Sequence, residues 1–126
     1  MKKVLALISI CCMLVLVGCG NKVETETAEK YYNHAESIVN YLNEKKYDEI
    51  IESFDENMKA QLTAEQLAQI EPIIEDSGEF EKISKKSIEE KDGIMITILV
   101  ADYSKDKRIF TISYDKNEKI SGLYVK

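Results

Sequence analysis

Few side chains in this chain are of a type that does chemistry, and they are widely spaced. Cys19 ends an apolar run, and its thiol is a nucleophile from which a thioether to a lipid can form. His34 is the single histidine, and we interpret it as a half-exposed residue on the flank of a helix rather than as a general base. Glu71 and Asp102 lie beside apolar residues, where burial could raise the pKa of a carboxyl group. The candidate chemistry is therefore lipid modification at Cys19 or proton transfer by a buried carboxylate.

The segment before Cys19 has the organisation of an export signal. Two lysines precede an apolar stretch over 4–17, which is shorter than the roughly 20 residues that a membrane-spanning helix needs. The run Leu16-Val17-Gly18-Cys19 resembles the lipobox of bacterial lipoprotein precursors. This resemblance implies cleavage between Gly18 and Cys19, so that 1–18 is a signal peptide. An ordinary secretory signal whose apolar stretch happens to end in a cysteine is the alternative.

The lipobox resemblance also implies where the protein works. Acyl chains such as palmitate on Cys19 would anchor it stably, because two chains satisfy the two-signal requirement for membrane attachment. Residues 19–27 are then the lipidated cysteine and a polar tether, of which 20–27 span about 26–29 Å when fully extended. We therefore expect a lipoprotein on the extracytoplasmic face of the cell membrane.

Composition excludes several classes of function for the mature chain. Removal of 1–18 leaves 15 basic and 23 acidic side chains, a net charge of −8. This charge argues against nucleic acid as a partner, and against a domain that lies flat on an anionic membrane, because both need a basic surface. No cysteine follows Cys19, so a disulfide or a thiolate metal site is excluded after that position. We expect no metal and no cofactor.

The first half of the mature chain is predicted to be helical. Tyr31, Ala35, Ile38 and Leu42 recur at helical spacing, and Thr63 and Gln66 have the spacing of a capping box. Pro72 should kink the third helix or start a fresh turn, and Gly78 should end it. The three helices are expected over 28–44, over 47–54 and from Ala64 onward, with 58–62 as an irregular or helical link.

From Glu79 the apolar period changes to two, which predicts strands. Asp92-Gly93 is a hairpin signal. Apolar residues occupy both parities of 94–103, so this strand should be central and covered on both faces. The four strands are expected over 80–89, with a bulge, and over 94–103, 108–114 and 119–126. The pattern predicts an α+β domain over 28–126, in which three N-terminal helices pack on one face of a curved four-stranded antiparallel sheet.

Several local strings resemble the domain of unknown function 3887 family. They are the runs 47–55, 58–59, 62–67, 78–80 and 119–124. The resemblance covers about 28–126 and implies the nuclear transport factor 2-like fold, an α+β cone. The family defines no catalytic residue, so the resemblance implies none for this chain.

Cone folds of this type often hold a pocket between the helices and the concave sheet. The side chains that could line such a pocket here are Tyr31, Glu71, Asp102, Tyr103 and Tyr114. We expect a non-catalytic module that binds a small apolar ligand, a peptide or a partner protein. The alternative is a small isomerase- or hydratase-like enzyme that uses Glu71 or Asp102. A homodimer that packs through the open sheet face is a further hypothesis.

Overall fold

The computed structural model describes residues 23–126, so the signal peptide, Cys19 and the lipobox lie outside the described residues. The described part begins with helices and ends with strands, as predicted for an α+β chain. The helices are α1 (Thr25–Asn43), α2 (Tyr47–Glu52), α3 (Glu56–Gln61), α4 (Ala64–Ala68) and α5 (Glu71–Asp76). None of the helices within 23–126 is both long and apolar enough to cross a membrane.

Within residues 23–126 five helices are found where three were predicted, because the chain breaks after each short amphipathic segment. Asp55 caps α3 by accepting a hydrogen bond from the Met58 backbone N–H at 2.8 Å, so 56–61 is helical rather than irregular. The predicted capping box at α4 is confirmed, with both reciprocal bonds between Thr63 and Gln66 present. Pro72 lies in the first turn of α5, where its missing N–H costs nothing, and so starts a fresh helix instead of kinking one. The N-terminal helix begins at Thr25, which shortens the expected tether by three residues.

The four strands form one antiparallel sheet in the order β1-β2-β3-β4. They are β1 (Phe80–Lys91), β2 (Ile94–Tyr103), β3 (Lys107–Tyr114) and β4 (Ile120–Val125). The predicted bulge is confirmed by register shifts between Phe80 and Lys82 and between Ile83 and Lys85. At the predicted hairpin turn, Asp92 and Gly93 both have positive φ. The sheet is therefore a meander whose β1–β2 and β3–β4 turns lie at the same end.

One hydrophobic core joins the helices to one face of the sheet. α1 supplies Ala35, Ile38 and Val39, each fully buried, and the facing strands supply Leu99 and Phe110. The buried residues of the described part all lie between Ala28 and Ile120.

The expectation that β2 is covered on both faces is wrong. The strand is central, but only Thr97, Leu99, Ala101 and Tyr103 are buried. The alternate residues Ile96, Ile98 and Val100 are half-buried on the outer face, and none of the described helices packs there. Within the described part of the chain, the outer apolar residues are therefore half-buried and lie outside the hydrophobic core.

Candidate functional site

Two tyrosines and the histidine form the walls of a cavity of about 330 Å³ beside the N-terminal half of α1. Tyr31 and His34 come from α1, and Tyr114 is the last residue of β3. The Tyr31 and Tyr114 ring centroids are 4.9 Å apart, with the ring planes inclined by 57°. Lys30 and Glu118 complete the lining and form an exposed ion pair at its rim. The cavity thus has aromatic walls and a charged mouth.

His34 links three elements of the fold at this cavity. Its Nδ1 lies 2.7 Å from the Tyr114 hydroxyl, and its Nε2 lies 3.2 Å from Ser53 Oγ. Ser53 follows α2, and its carbonyl accepts the backbone N–H of Ile120. A neutral imidazole has one donor and one acceptor nitrogen, and both are engaged here. His34 is therefore half-buried on the flank of α1, as expected, and neighbouring hydroxyls hold both of its ring nitrogens.

Burial governs the electrostatics of the cavity walls. Desolvation lowers the pKa of His34 below its ordinary value of 6.5, and the nearby positive charge of Lys119 adds to the shift. Burial also raises the pKa of the Tyr114 hydroxyl well above 10.0, so this group stays protonated. Burial, and then the negative charge of Asp115, also raise the pKa of the Tyr31 hydroxyl above its ordinary value. At neutral pH the walls are therefore uncharged.

Glu71, a candidate pocket carboxylate, lies in a different place. The Tyr47 hydroxyl donates a hydrogen bond to Glu71 Oε2 at 2.8 Å, and Lys45 Nζ lies 2.7 Å from Oε1. Lys45 and then Tyr47 hold the pKa of Glu71 below its ordinary value, the opposite of what a general acid requires. Glu71 is thus part of an ion-pair cluster, which also includes Glu75, at the start of α5.

Asp102 and Tyr103 are neighbours in β2 and therefore lie on opposite faces of the sheet. Asp102 lies on the outer face, where the Ser84 hydroxyl donates to its Oδ1 at 2.8 Å and Lys107 is 3.7 Å away. The Tyr103 hydroxyl donates to Asn43 Oδ1 at 2.5 Å, at the C-terminal end of α1. Of the five candidate pocket residues, only Tyr31 and Tyr114 come together at the cavity.

Two residues that line the cavity, Lys30 and Glu118, were not among the sequence candidates, and only Lys30 had a signal. Lys30 and His34 are four residues apart beside Tyr31, so a helix places all three at one end of the same face. Glu118 lies in the β3–β4 turn, and Ser53 approaches His34 only because α2 packs against α1. No spacing in the sequence indicates those two contacts.

No curated protein matches this sequence. The family model described as "Protein of unknown function (DUF3887)" matches residues 35–123. The chain therefore belongs to the DUF3887 family, as the local strings indicated. An NMR structure of a protein from Ruminococcus gnavus ATCC 29149 is similar, with a TM-score of 0.67 and 22% sequence identity. The match covers 81% of this chain and 90% of that one, and it shows a shared fold.

Proposed function

We propose that this protein is a lipid-anchored extracytoplasmic module that binds a small apolar ligand without turning it over. The observation that carries this proposal is the cavity walled by Tyr31, His34 and Tyr114. Its volume falls within the range of small-molecule sites, which are mostly apolar with a few placed polar groups. Aromatic walls favour a ligand with a flat ring, and Lys30 and Glu118 at the mouth supply polar groups.

The same geometry favours binding over catalysis. Neither Glu71 nor Asp102 lines the cavity, so the isomerase- or hydratase-like alternative lacks the carboxylate on which it depended. Both ring nitrogens of His34 are engaged by neighbouring hydroxyls, and the raised pKa of Tyr114 disfavours a phenolate base. A general base needs a nitrogen or oxygen free to take the substrate proton.

We propose that the fold is a nuclear transport factor 2-like cone. The support is a long first helix and four shorter ones on one face of a four-stranded antiparallel sheet. In such an arrangement the end of the sheet beside the first turns of α1 is the mouth of the cone. The cavity lies at that end, beside the β3–β4 turn.

The proposed anchor would hold this cavity close to the membrane. α1 begins at Thr25, so only residues 20–24 separate it from Cys19, and five extended residues reach about 17 Å. Lys30 and Tyr31 lie in the second turn of the same helix. The cavity would therefore bind its ligand within a few nanometres of the bilayer.

A fluorescent apolar probe tests the ligand site. We expect N-phenyl-1-naphthylamine to bind the protein from residue 19 onward with one-to-one stoichiometry. Tyr31→Ala should weaken binding about tenfold or more, because it removes an aromatic wall. Tyr32→Ala is the matched control. Tyr32 is on the same helix as Tyr31, but its ring lies beneath Lys86 of β1 and does not line the cavity.

Circular dichroism on both variants separates loss of the site from loss of the fold, and Tyr31→Phe provides a second, milder change. Equal binding by the two alanine variants would exclude the cavity as the site. Conversion of the bound compound into a product would exclude a purely binding role.

The anchor has its own test. Cys19→Ser should release the protein from the membrane fraction of the expressing cells, because the thioether cannot form. Mass spectrometry of the wild-type protein should show a lipidated N-terminal Cys19. An unmodified thiol at that position would contradict the anchor and leave the ligand result untouched.

A further inference from the structure

Charge is distributed unevenly between the two layers of the domain. The helical part of the described chain, residues 23–79, carries 15 carboxylates and 4 lysines, a net charge of −11. The strand part, residues 80–126, carries 8 carboxylates and 10 basic side chains, a net charge of +2. The sheet layer therefore carries a net positive charge, although the net charge of the whole chain is negative.

The outer face of the sheet combines an apolar centre with a lysine rim. Register places the side chains of Ile96, Ile98, Val100, Ile109 and Tyr124 on this face. Two of them are notably accessible, with Tyr124 71% exposed and Ile109 39% exposed.

The rim of this face is mostly basic. The same register places four exposed lysines around the apolar centre, against the two carboxylates of Glu89 and Asp102. These lysines are Lys82, Lys85, Lys91 and Lys107. Asp102 accepts a hydrogen bond from the Ser84 hydroxyl and lies 3.7 Å from Lys107, so it offsets that lysine and leaves Lys82, Lys85 and Lys91 against Glu89. The face therefore presents net positive charge around exposed aliphatic and aromatic side chains.

We propose that this outer sheet face docks on an anionic lipid surface. Lysines attract anionic headgroups, and a tyrosine with an exposed ring is suited to the membrane–water interface. The acidic helical layer would then point away from the bilayer, which orients the domain. The inference rests on the proposed anchor at Cys19, because a tether converts a weak contact into an intramolecular one.

Charge also favours an anionic lipid surface, rather than a second copy of the chain, as the partner of the outer sheet face. Two copies packed face to face would bring two lysine rims together around the same apolar centre. An anionic headgroup layer complements the rim instead. The net charge of −8 does not prevent this docking, because the repelled carboxylates are concentrated in the helical layer beyond the sheet.

The chain contains no tryptophan, so a single introduced tryptophan reports on its own surroundings. Residues 19–126 also contain one thiol, Cys19, through which the folded protein can be coupled to maleimide lipid in vesicles. Tyr124→Trp places the reporter on the outer sheet face. Ile73→Trp is the matched control, because Ile73 is 42% exposed but lies on α5 in the helical layer.

In vesicles of phosphatidylglycerol with brominated acyl chains, we expect strong quenching of the Tyr124→Trp reporter and little quenching of the Ile73→Trp reporter. In brominated phosphatidylcholine vesicles, or in high salt, the first reporter should lose its quenching. Equal quenching of the two reporters in anionic vesicles, or none, would overturn the proposal.

The lysine rim is tested separately. Replacement of Lys82, Lys85 and Lys91 by glutamine in the Tyr124→Trp protein should lower the ratio of docked to undocked domain at least tenfold, since each surface lysine contributes roughly fivefold. Glutamine at Lys45, Lys46 and Lys59 changes the net charge equally in the helical layer and should have little effect.

Two further outcomes count against docking on lipid. One is a dimer, seen by light scattering, that shields the Tyr124→Trp reporter without vesicles. The other is protection of the reporter by an acidic protein but not by anionic vesicles. Because every vesicle experiment uses a chemically coupled anchor, failure here leaves the ligand cavity and natural lipidation open to their own tests.

Discussion

At the scale of single residues, His34 matters most in the described chain. It lies between the hydroxyls of Tyr114 and Ser53 and forms one wall of the cavity. The sequence showed an isolated histidine on a helix flank, and nothing in its neighbourhood indicated partners 19 and 80 residues away. The chemistry of His34 therefore depends on hydroxyl groups that are distant in the sequence and that the fold brings next to it.

His34 should make stability depend on pH. Burial lowers its pKa in the folded protein below 6.5, so the unfolded chain binds the proton more readily. The free energy of unfolding should therefore fall as the pH drops below about 6.5, until the folded-state pKa is reached. Urea denaturation between pH 7.5 and 5.5 measures this, and His34→Gln should flatten the slope. An unchanged slope in the variant would assign the effect to other groups.

Thr63 tests a single hydrogen-bonded cap. Its hydroxyl accepts the Gln66 backbone N–H, and the Gln66 side chain accepts the Thr63 N–H at 2.9 Å. Thr63→Ala should lower the free energy of unfolding by about 1 kcal/mol, because a donor at the start of α4 loses its partner. Chemical denaturation of the variant measures this. A Thr63→Ser protein should keep most of the stability, and equal losses in both variants would contradict the capping role.

At the scale of elements, the helix and strand boundaries follow from local signals. Gly78 ends α5 with a φ of +91°, as its position after the helix predicted, and Asp92-Gly93 turns the first hairpin. The segment expected as one third helix is two helices, because Ala68 ends one turn and Pro72 opens another. Capping residues and prolines decide such breaks, and both are visible in the sequence.

Gly78 should be far less tolerant of a side chain than Gly122. A β-carbon at Gly78 would overlap the Ser104 hydroxyl and sit on backbone with positive φ. At Gly122, which has no positive φ, the nearest atoms are 3.5 Å away, in Ser113. We expect Gly78→Ala to cost about 1–3 kcal/mol of unfolding free energy and Gly122→Ala less than about 1. Thermal denaturation compares the two, and similar losses would contradict the requirement for glycine at Gly78.

At the scale of the whole molecule, one core holds both layers together. Ile38 and Leu67 from the helices are fully buried in the same cluster as Leu99 and Phe110 from the strands. No cysteine follows Cys19, so packing alone must hold the domain. The helical and sheet layers should therefore not unfold independently.

We expect residues 19–126 to unfold in one cooperative transition. Far-ultraviolet circular dichroism, dominated by the helices, should coincide with the near-ultraviolet signal of the buried Tyr103 and Tyr114. Reducing agent should not shift the midpoint. Two separate transitions would mean that the layers have separate cores, contrary to the packing of α1 on the sheet.

The sequence alone was sufficient to predict the α+β order, the strand bounds, the capping box and the family, because each depends on residues close together in the chain. Only the tertiary structure placed His34 against Tyr114 and Ser53, removed Glu71 and Asp102 from the cavity, and left the outer face of β2 only half-buried among the described residues. It also showed that lysines scattered along β1 and β3 share one face, although the summed charge had argued against a basic surface. The physical reason is that cavities and charged faces are made by side chains distant in sequence, whose meeting depends on strand register and helix packing.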